Sequence, residues 1–275
     1  MLLIIGMIIG LVLGLTGAGG SVFAVPLLML LAGMSMSDAA GISLGAVAAS
    51  TIYGSLHNLV QQQSAPVLWK PGVILAGAGV LTAPLGKWLG LQISELWLVS
   101  GFSILAIVIA LRMWLSASKN PDAASIVRAG NFAHTPSPEL LCALSTSGQF
   151  ELRLRCVSGL LIGGLLVGLL SGLLGVGGGF LIIPLLLTLS AVSMAQAVST
   201  SLLIIALVSS SGFISHLFMN SNNDWSLSGL IAAGGIIGMM LGQAISHKIA
   251  NAQLQKIFAV SLLAVCLITF MRNFL

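Results

Sequence analysis

Two short glycine-dense segments carry the chemistry that stands out from an otherwise apolar chain: residues 17–22, GAGGSV, and residues 175–180, GVGGGF. Val22 and Phe180 stand where a dinucleotide-binding loop needs its last glycine, and no lysine follows, so neither segment is a nucleotide-phosphate loop. A glycine cluster that opens onto an apolar helix suits a small anion instead. Its backbone N–H groups form a nest, and the positive end of the helix dipole adds to their attraction. On that reading Gly17, Gly19, Gly20 and Ser21 face Gly175, Gly177, Gly178 and Gly179 across a substrate. The competing account is close packing of crossed helices, which explains the four-residue spacing of Gly6, Gly10 and Gly14 better than it explains the clusters.

The stretch after each glycine cluster is rich in hydroxyls, with Ser43, Ser50, Thr51 and Ser55 in one case and Ser199, Thr200, Ser201, Ser209, Ser210 and Ser211 in the other. Ser43, Thr51, Ser201 and Ser209 are candidates to line a polar pathway; any one of them also has a carbonyl four residues earlier to bond. His57 and His216 lie near the ends of the same two stretches. They are candidates for gating or proton relay, weighed against a role as headgroup-level or helix-end residues. All six acids fall in or beside expected loops, and no histidine–cysteine cluster or nucleophile–base–acid set can be assembled. No catalytic residue, metal or cofactor is therefore expected, and an enzyme is not. Cys142, Cys156 and Cys266 are odd in number and predict neither a disulfide framework nor a metal site.

These residues require a membrane scaffold to position them. The chain has 275 residues, 57% hydrophobic and only 6% charged, with a mean hydropathy of +1.12, values foreign to a soluble domain. No charged residue occurs before Asp38 or between Arg155 and Asp224. Such runs predict an all-α, polytopic membrane protein with about eight to ten membrane segments, seated in lipid. The net charge of +4 is carried at loops and helix ends and gives no reason to expect nucleic acid. The first apolar segment lacks a basic leader and reads as retained.

The chain is also duplicated. GLTGAGGSVFAVPLL, residues 14–28, returns 158 positions later as GLLGVGGGFLIIPLL, residues 172–186; the offset then slips to 156, pairing Trp69 with Trp225 and Gly86 with Gly242. Apolar segments at about 1–15, 21–34, 38–60, 71–91 and 95–116 recur at about 157–173, 179–192, 196–219, 227–247 and 254–272. The expected organisation is a membrane repeat over 1–116, a polar linker over 117–156 and a second membrane repeat over 157–275. The first two segments of each repeat are short and read either as a hairpin of half-spans or as tilted spans. Cations gathered in the linker predict that it is cytoplasmic. Inverted repeats meeting at broken helices are favoured over parallel ones.

At the two glycine loops and their prolines (Gly14, Gly17, Gly19, Gly20, Ser21, Pro26; Gly172, Gly175, Gly177, Gly178, Gly179, Pro184) the chain resembles the sulfite exporter TauE/SafE family. The resemblance covers nearly all of both halves, including the Asp224-Trp225 pair after His216. Ser21 stands where the family has a last loop glycine, and the linker is long. The resemblance implies export or uptake of small anions, chiefly sulfite and organosulfonates such as sulfoacetate, in the bacterial inner membrane, and the chain reads as a secondary transporter that works by alternating access. A passive anion channel and a non-transporting partner subunit are the alternatives, and assembly into a homo-oligomer is left open.

Overall fold

The computed structural model describes residues 1–17, 19–61, 67–119, 154–190, 192, 194–219, 225–249 and 252–274. Each expected apolar segment is a helix. The first half contains α1 (Leu2–Thr16), a short 3-10 turn (Gly19–Phe23), α2 (Ala24–Ala32), α3 (Met36–Gln61), α4 (Trp69–Gln92) and α5 (Glu95–Lys119). The second half repeats the order as α6 (Leu154–Leu174), α7 (Gly179–Leu189), α8 (Met194–Met219), α9 (Trp225–Ile249) and α10 (Ala252–Phe274). Five of them, α3, α4, α6, α8 and α9, are long and apolar enough to cross a bilayer. With 9 and 11 residues, α2 and α7 reach only about 14–17 Å, roughly half of a hydrocarbon core.

The halves are interlocked. The first helix of each packs along the fourth helix of the other, α1 on α9 and α6 on α4. Glycine makes this approach close enough. A methyl group at Gly10 would collide with the Gly235 carbonyl and lie 2.8 Å from the Met239 backbone nitrogen, and one at Gly172 would collide with the Ala83 carbonyl. Side-chain-free contact of this kind lets helix backbones touch where lipid offers no hydrophobic drive for association.

The register of these contacts fixes helix directions. Gly6, Gly10 and Gly14 meet Ile231, Gly235 and Gly242 in ascending order, so α1 and α9 run parallel; Gly164, Gly168 and Gly172 meet Leu75, Gly79 and Ala83, so α6 and α4 do too. Between α3 and α8 the order reverses: Gly41 meets His216, and Gly45 meets Phe213. These two helices, equivalent members of the two halves, are antiparallel. The Met36 N–H donates to Glu95 Oε1 at 2.7 Å, bringing the start of α5 to the start of α3. The α5 C-terminus and the α6 N-terminus, between which the linker runs, consequently lie at the far end of the bundle from the start of α3.

The interior of the bundle holds α3 and α8, and Ser43, Ser50, Thr51, Ser55, Ser199, Thr200, Ser201, Ser209 and Ser215 are buried within it. Polar bonds tie neighbours to this pair: Ser211 Oγ donates to the Val80 carbonyl at 2.8 Å, and the Leu68 N–H donates to Thr200 Oγ1 at 3.0 Å. Outward faces carry apolar side chains, such as Leu81 and Leu85 on α4 and Leu161 and Leu165 on α6, as a lipid-facing surface requires. One expectation is corrected. Cys156, buried at the start of α6, is disulfide-bonded, since an odd cysteine count leaves one thiol over without forbidding a pair; Cys266 is buried and free.

Candidate functional site

The two glycine breaks reach into the α3/α8 pair from opposite halves. Gly175 has φ +72 and sits against Ala40 of α3; Gly17 has φ +82 and sits against Val198 of α8, the residue equivalent to Ala40. Only glycine occupies this left-handed region without strain. In the second break Gly177 (φ +71) and Gly178 (φ +70) continue the turn before α7 starts at Gly179, with Gly178 as its N-cap residue. Val47, Ile205 and Ser209, near the middles of α3 and α8, surround Gly177. The first break is built differently: after Gly17 the chain enters the 3-10 turn that contains Gly19, Gly20 and Ser21. Gly20 packs on the backbone of Val12 and Leu13, whereas a methyl added at Gly19 would find its nearest neighbour, Thr16 Cβ, 4.0 Å away. The 3-10 turn also touches α7, so the two breaks meet inside the bundle.

The expected hydroxyls divide. Ser43 Oγ donates to the Gly175 carbonyl and lies 2.9 Å from the Ala40 carbonyl. Thr51 Oγ1 bonds the Val47 carbonyl at 2.7 Å and Ser201 Oγ the Val198 carbonyl at 2.8 Å. These three spend their protons on peptide carbonyls and brace the scaffold. Ser209 Oγ is buried without a hydrogen-bond partner among the described residues and faces Gly177. Ser21 is fully buried.

The two histidines are not equivalent. His57, near the end of α3, is half-buried and stacks on Tyr53 with ring centroids 5.8 Å apart. His216 is 3% exposed, lies over Gly41, and leaves Nδ1 without a partner among the described residues. Gly41 opens a slot between α3 and α8 that takes the His216 ring.

Sequence reasoning missed Lys87. Counted along the chain it sits close to the end of α4, where a lysine usually reaches water. It is instead 2% exposed, and its Nζ donates to the Ser37 carbonyl at 2.7 Å and approaches Ser37 Oγ at 3.4 Å. The Asp38 carboxylate acts electrostatically on it, and both charges act on His216. Asp38 Oδ2 accepts from Ser35 Oγ at 2.8 Å and the Asp38 N–H donates to Ser35 Oγ at 3.2 Å, a reciprocal cap that fixes the start of α3. The internal repeat held a signal: at offsets of 158 and 156, Asp38 and Lys87 align with Gln196 and Gln243, polar positions in both copies. No group of three or more histidine, cysteine or acidic side chains suited to a metal occurs among the described residues.

Residues 2–269, which take in both repeats and both glycine breaks, match the family model described as "Sulfite exporter TauE/SafE". The chain belongs to the sulfite exporter TauE/SafE family. It is similar to a "Probable membrane transporter protein" of Xylella fastidiosa (strain Temecula1), 27% identical over 98% of this chain and 93% of the relative. "Probable membrane transporter protein YunE" of Bacillus subtilis (strain 168) is 28% identical over 96% of this chain and 94% of the relative. No solved structure matches. The protein is a multi-pass membrane transporter of the TauE/SafE family rather than an enzyme.

Proposed function

We propose that this TauE/SafE protein is a secondary transporter that carries a small oxyanion, sulfite or an organosulfonate such as sulfoacetate, across the bacterial inner membrane by alternating access. The observation that carries this reading is the pair of glycine breaks lodged against α3 and α8 from opposite halves. The N–H groups at Gly177, Gly178 and Gly179, with the unpartnered Ser209 hydroxyl, are the proposed anion contacts of one half; Gly19, Gly20 and Ser21 are those of the other. Backbone dipoles hold an anion with moderate strength, which suits a carrier that must release its load.

The halves act as inverted repeats rocking about the α3/α8 pair. Supporting this, equivalent helices α3 and α8 run antiparallel while α1 runs parallel to α9. Helix direction also sorts the charges. Lys70, Lys248, Lys256 and the cations of α5 and α6 fall toward the linker end, and among the described residues only Lys87 and Arg272 fall toward the other. That asymmetry supports a cytoplasmic linker. Trp69 and Trp225, equivalent and exposed at the first residues of α4 and α9, then sit at opposite membrane faces, as interfacial aromatic anchors do.

A thermal-shift screen of the purified protein against sulfite, thiosulfate, sulfoacetate, taurine and simple carboxylates tests the substrate class. Stabilisation by sulfur oxyanions and not by zwitterionic taurine is expected; stabilisation by none of the anions removes the reading.

A further inference from the structure

One end of the α3/α8 pair differs in kind from the other. Ser37 and Gly41 are four residues apart and therefore share a face of α3. The Lys87 ammonium rests on the first and the His216 ring on the second. An ammonium has three donors, and the acceptors Lys87 meets among the described residues both belong to Ser37. The strong one is a neutral carbonyl. His216 Nδ1, one helical turn along, has no partner among the described residues. A charge so deeply placed is costly unless paired, yet the only opposite charge acting on Lys87 among the described residues is that of Asp38, whose carboxylate is also engaged by Ser35. At the start of α3 the Met36 and Asp38 N–H groups are already occupied, by Glu95 and Ser35. At the other end the equivalent residues are Gln196 and Gln243, which carry no charge.

We propose that Lys87 and His216 form an anion station at the end of the α3/α8 pair away from the linker, where a small oxyanion replaces the Ser37 carbonyl on the Lys87 ammonium and accepts from His216. The inference rests on the anion-transport reading and adds a charged side chain to it. An oxyanion supplies acceptors to two neighbouring groups that are short of them, and charge-assisted hydrogen bonds are the strong kind. It also competes with Asp38 for one cation. Binding then loosens the tie between α4 and the start of α3, giving the anion a differential effect on two arrangements of the helices. The neutral pair at the linker end has no such response, so one exit is substrate-sensitive and the other is not.

The test is a double variant that copies the neutral end, D38Q/K87Q, reconstituted in proteoliposomes and assayed with radiolabelled sulfite beside the wild type. Removing both charges together leaves no unpaired buried ion, so detergent thermal unfolding should stay near that of the wild type. The KM for sulfite should rise about tenfold to a hundredfold, the loss of a charge-assisted contact. An unchanged KM overturns the station and makes the pair a structural tie, while leaving anion transport standing. Should the double variant not insert, H216N, which keeps both the lysine and the aspartate, decides: a rise in KM of about threefold or more supports the station, and an unchanged value overturns it. A wild type that neither carries sulfite nor is stabilised by it overturns the transport reading and the station with it.

Discussion

The hydroxyl of Ser43 donates to the carbonyl oxygen of Gly175, so a core helix of the first half holds the chain break of the second. Its repeat equivalent, Ser201, bonds among the described residues only the Val198 carbonyl on its own helix. Ser43→Ala should therefore strand a buried carbonyl and cost about 1–3 kcal/mol, whereas Ser201→Ala should change stability by no more than about 0.5 kcal/mol. Thermal unfolding in detergent separates the two. Equal effects would show that the bond between halves contributes nothing special.

Gly177 and Gly19 are aligned in the repeat but not in their surroundings. A methyl at Gly177 would force a residue with a side chain to φ +71 and come within 2.8 Å of Ser209 Oγ, whereas one at Gly19 would make only an ordinary contact with Thr16 Cβ, 4.0 Å away. Gly177→Ala is expected to abolish transport with insertion preserved, and Gly19→Ala to keep most of it. Flux in proteoliposomes measures this; a functional Gly177→Ala would show that the second break tolerates a side chain and does not need its glycine for transport.

Close helix contact is tested by Gly10 against Gly77. A methyl at Gly10 strikes the backbone of α9, while Gly77, on α4, has nothing within 4 Å. Gly10→Ala should lower the unfolding temperature in detergent. Gly77→Ala should raise stability by about 0.5–1 kcal/mol, the ordinary helix preference for alanine. A tolerated Gly10→Ala would mean that α1 and α9 are not in backbone contact.

Much of this architecture was legible in the sequence because hydropathy and glycine spacing are local signals. Gly6, Gly10 and Gly14 announced a smooth helix face, and the break at Gly175 to Gly178 followed from glycines clustered before Pro184. Direction was not legible. An apolar run reads the same up or down, and only the contacts of Gly41 with His216 and Gly45 with Phe213 show α3 and α8 opposed. Nor was the burial of Lys87, since a lysine five residues before the end of α4 has a stem long enough to reach water; the bond of its ammonium to Ser37 of α3 decides otherwise. Ser43, Thr51 and Ser201 looked like pathway hydroxyls because sequence cannot tell a proton spent on a carbonyl from one offered to a substrate.

Orientation is tested by labelling. Ser94→Cys, in the exposed turn between α4 and α5, should react with an impermeant maleimide added to intact cells, and Ser137→Cys in the linker should not rise above wild-type labelling. Labelling at Ser137→Cys and not at Ser94→Cys would invert the protein in the membrane.

Counterflow tests carriage itself. Proteoliposomes preloaded with unlabelled sulfite are diluted into a trace of radiolabelled sulfite, with the membrane potential collapsed. A carrier that exposes one site alternately to each side gives a transient accumulation of label above equilibrium, saturable with external sulfite and absent with Gly177→Ala. Label that only equilibrates, at a rate rising linearly with concentration, would contradict alternating access and make the protein a channel.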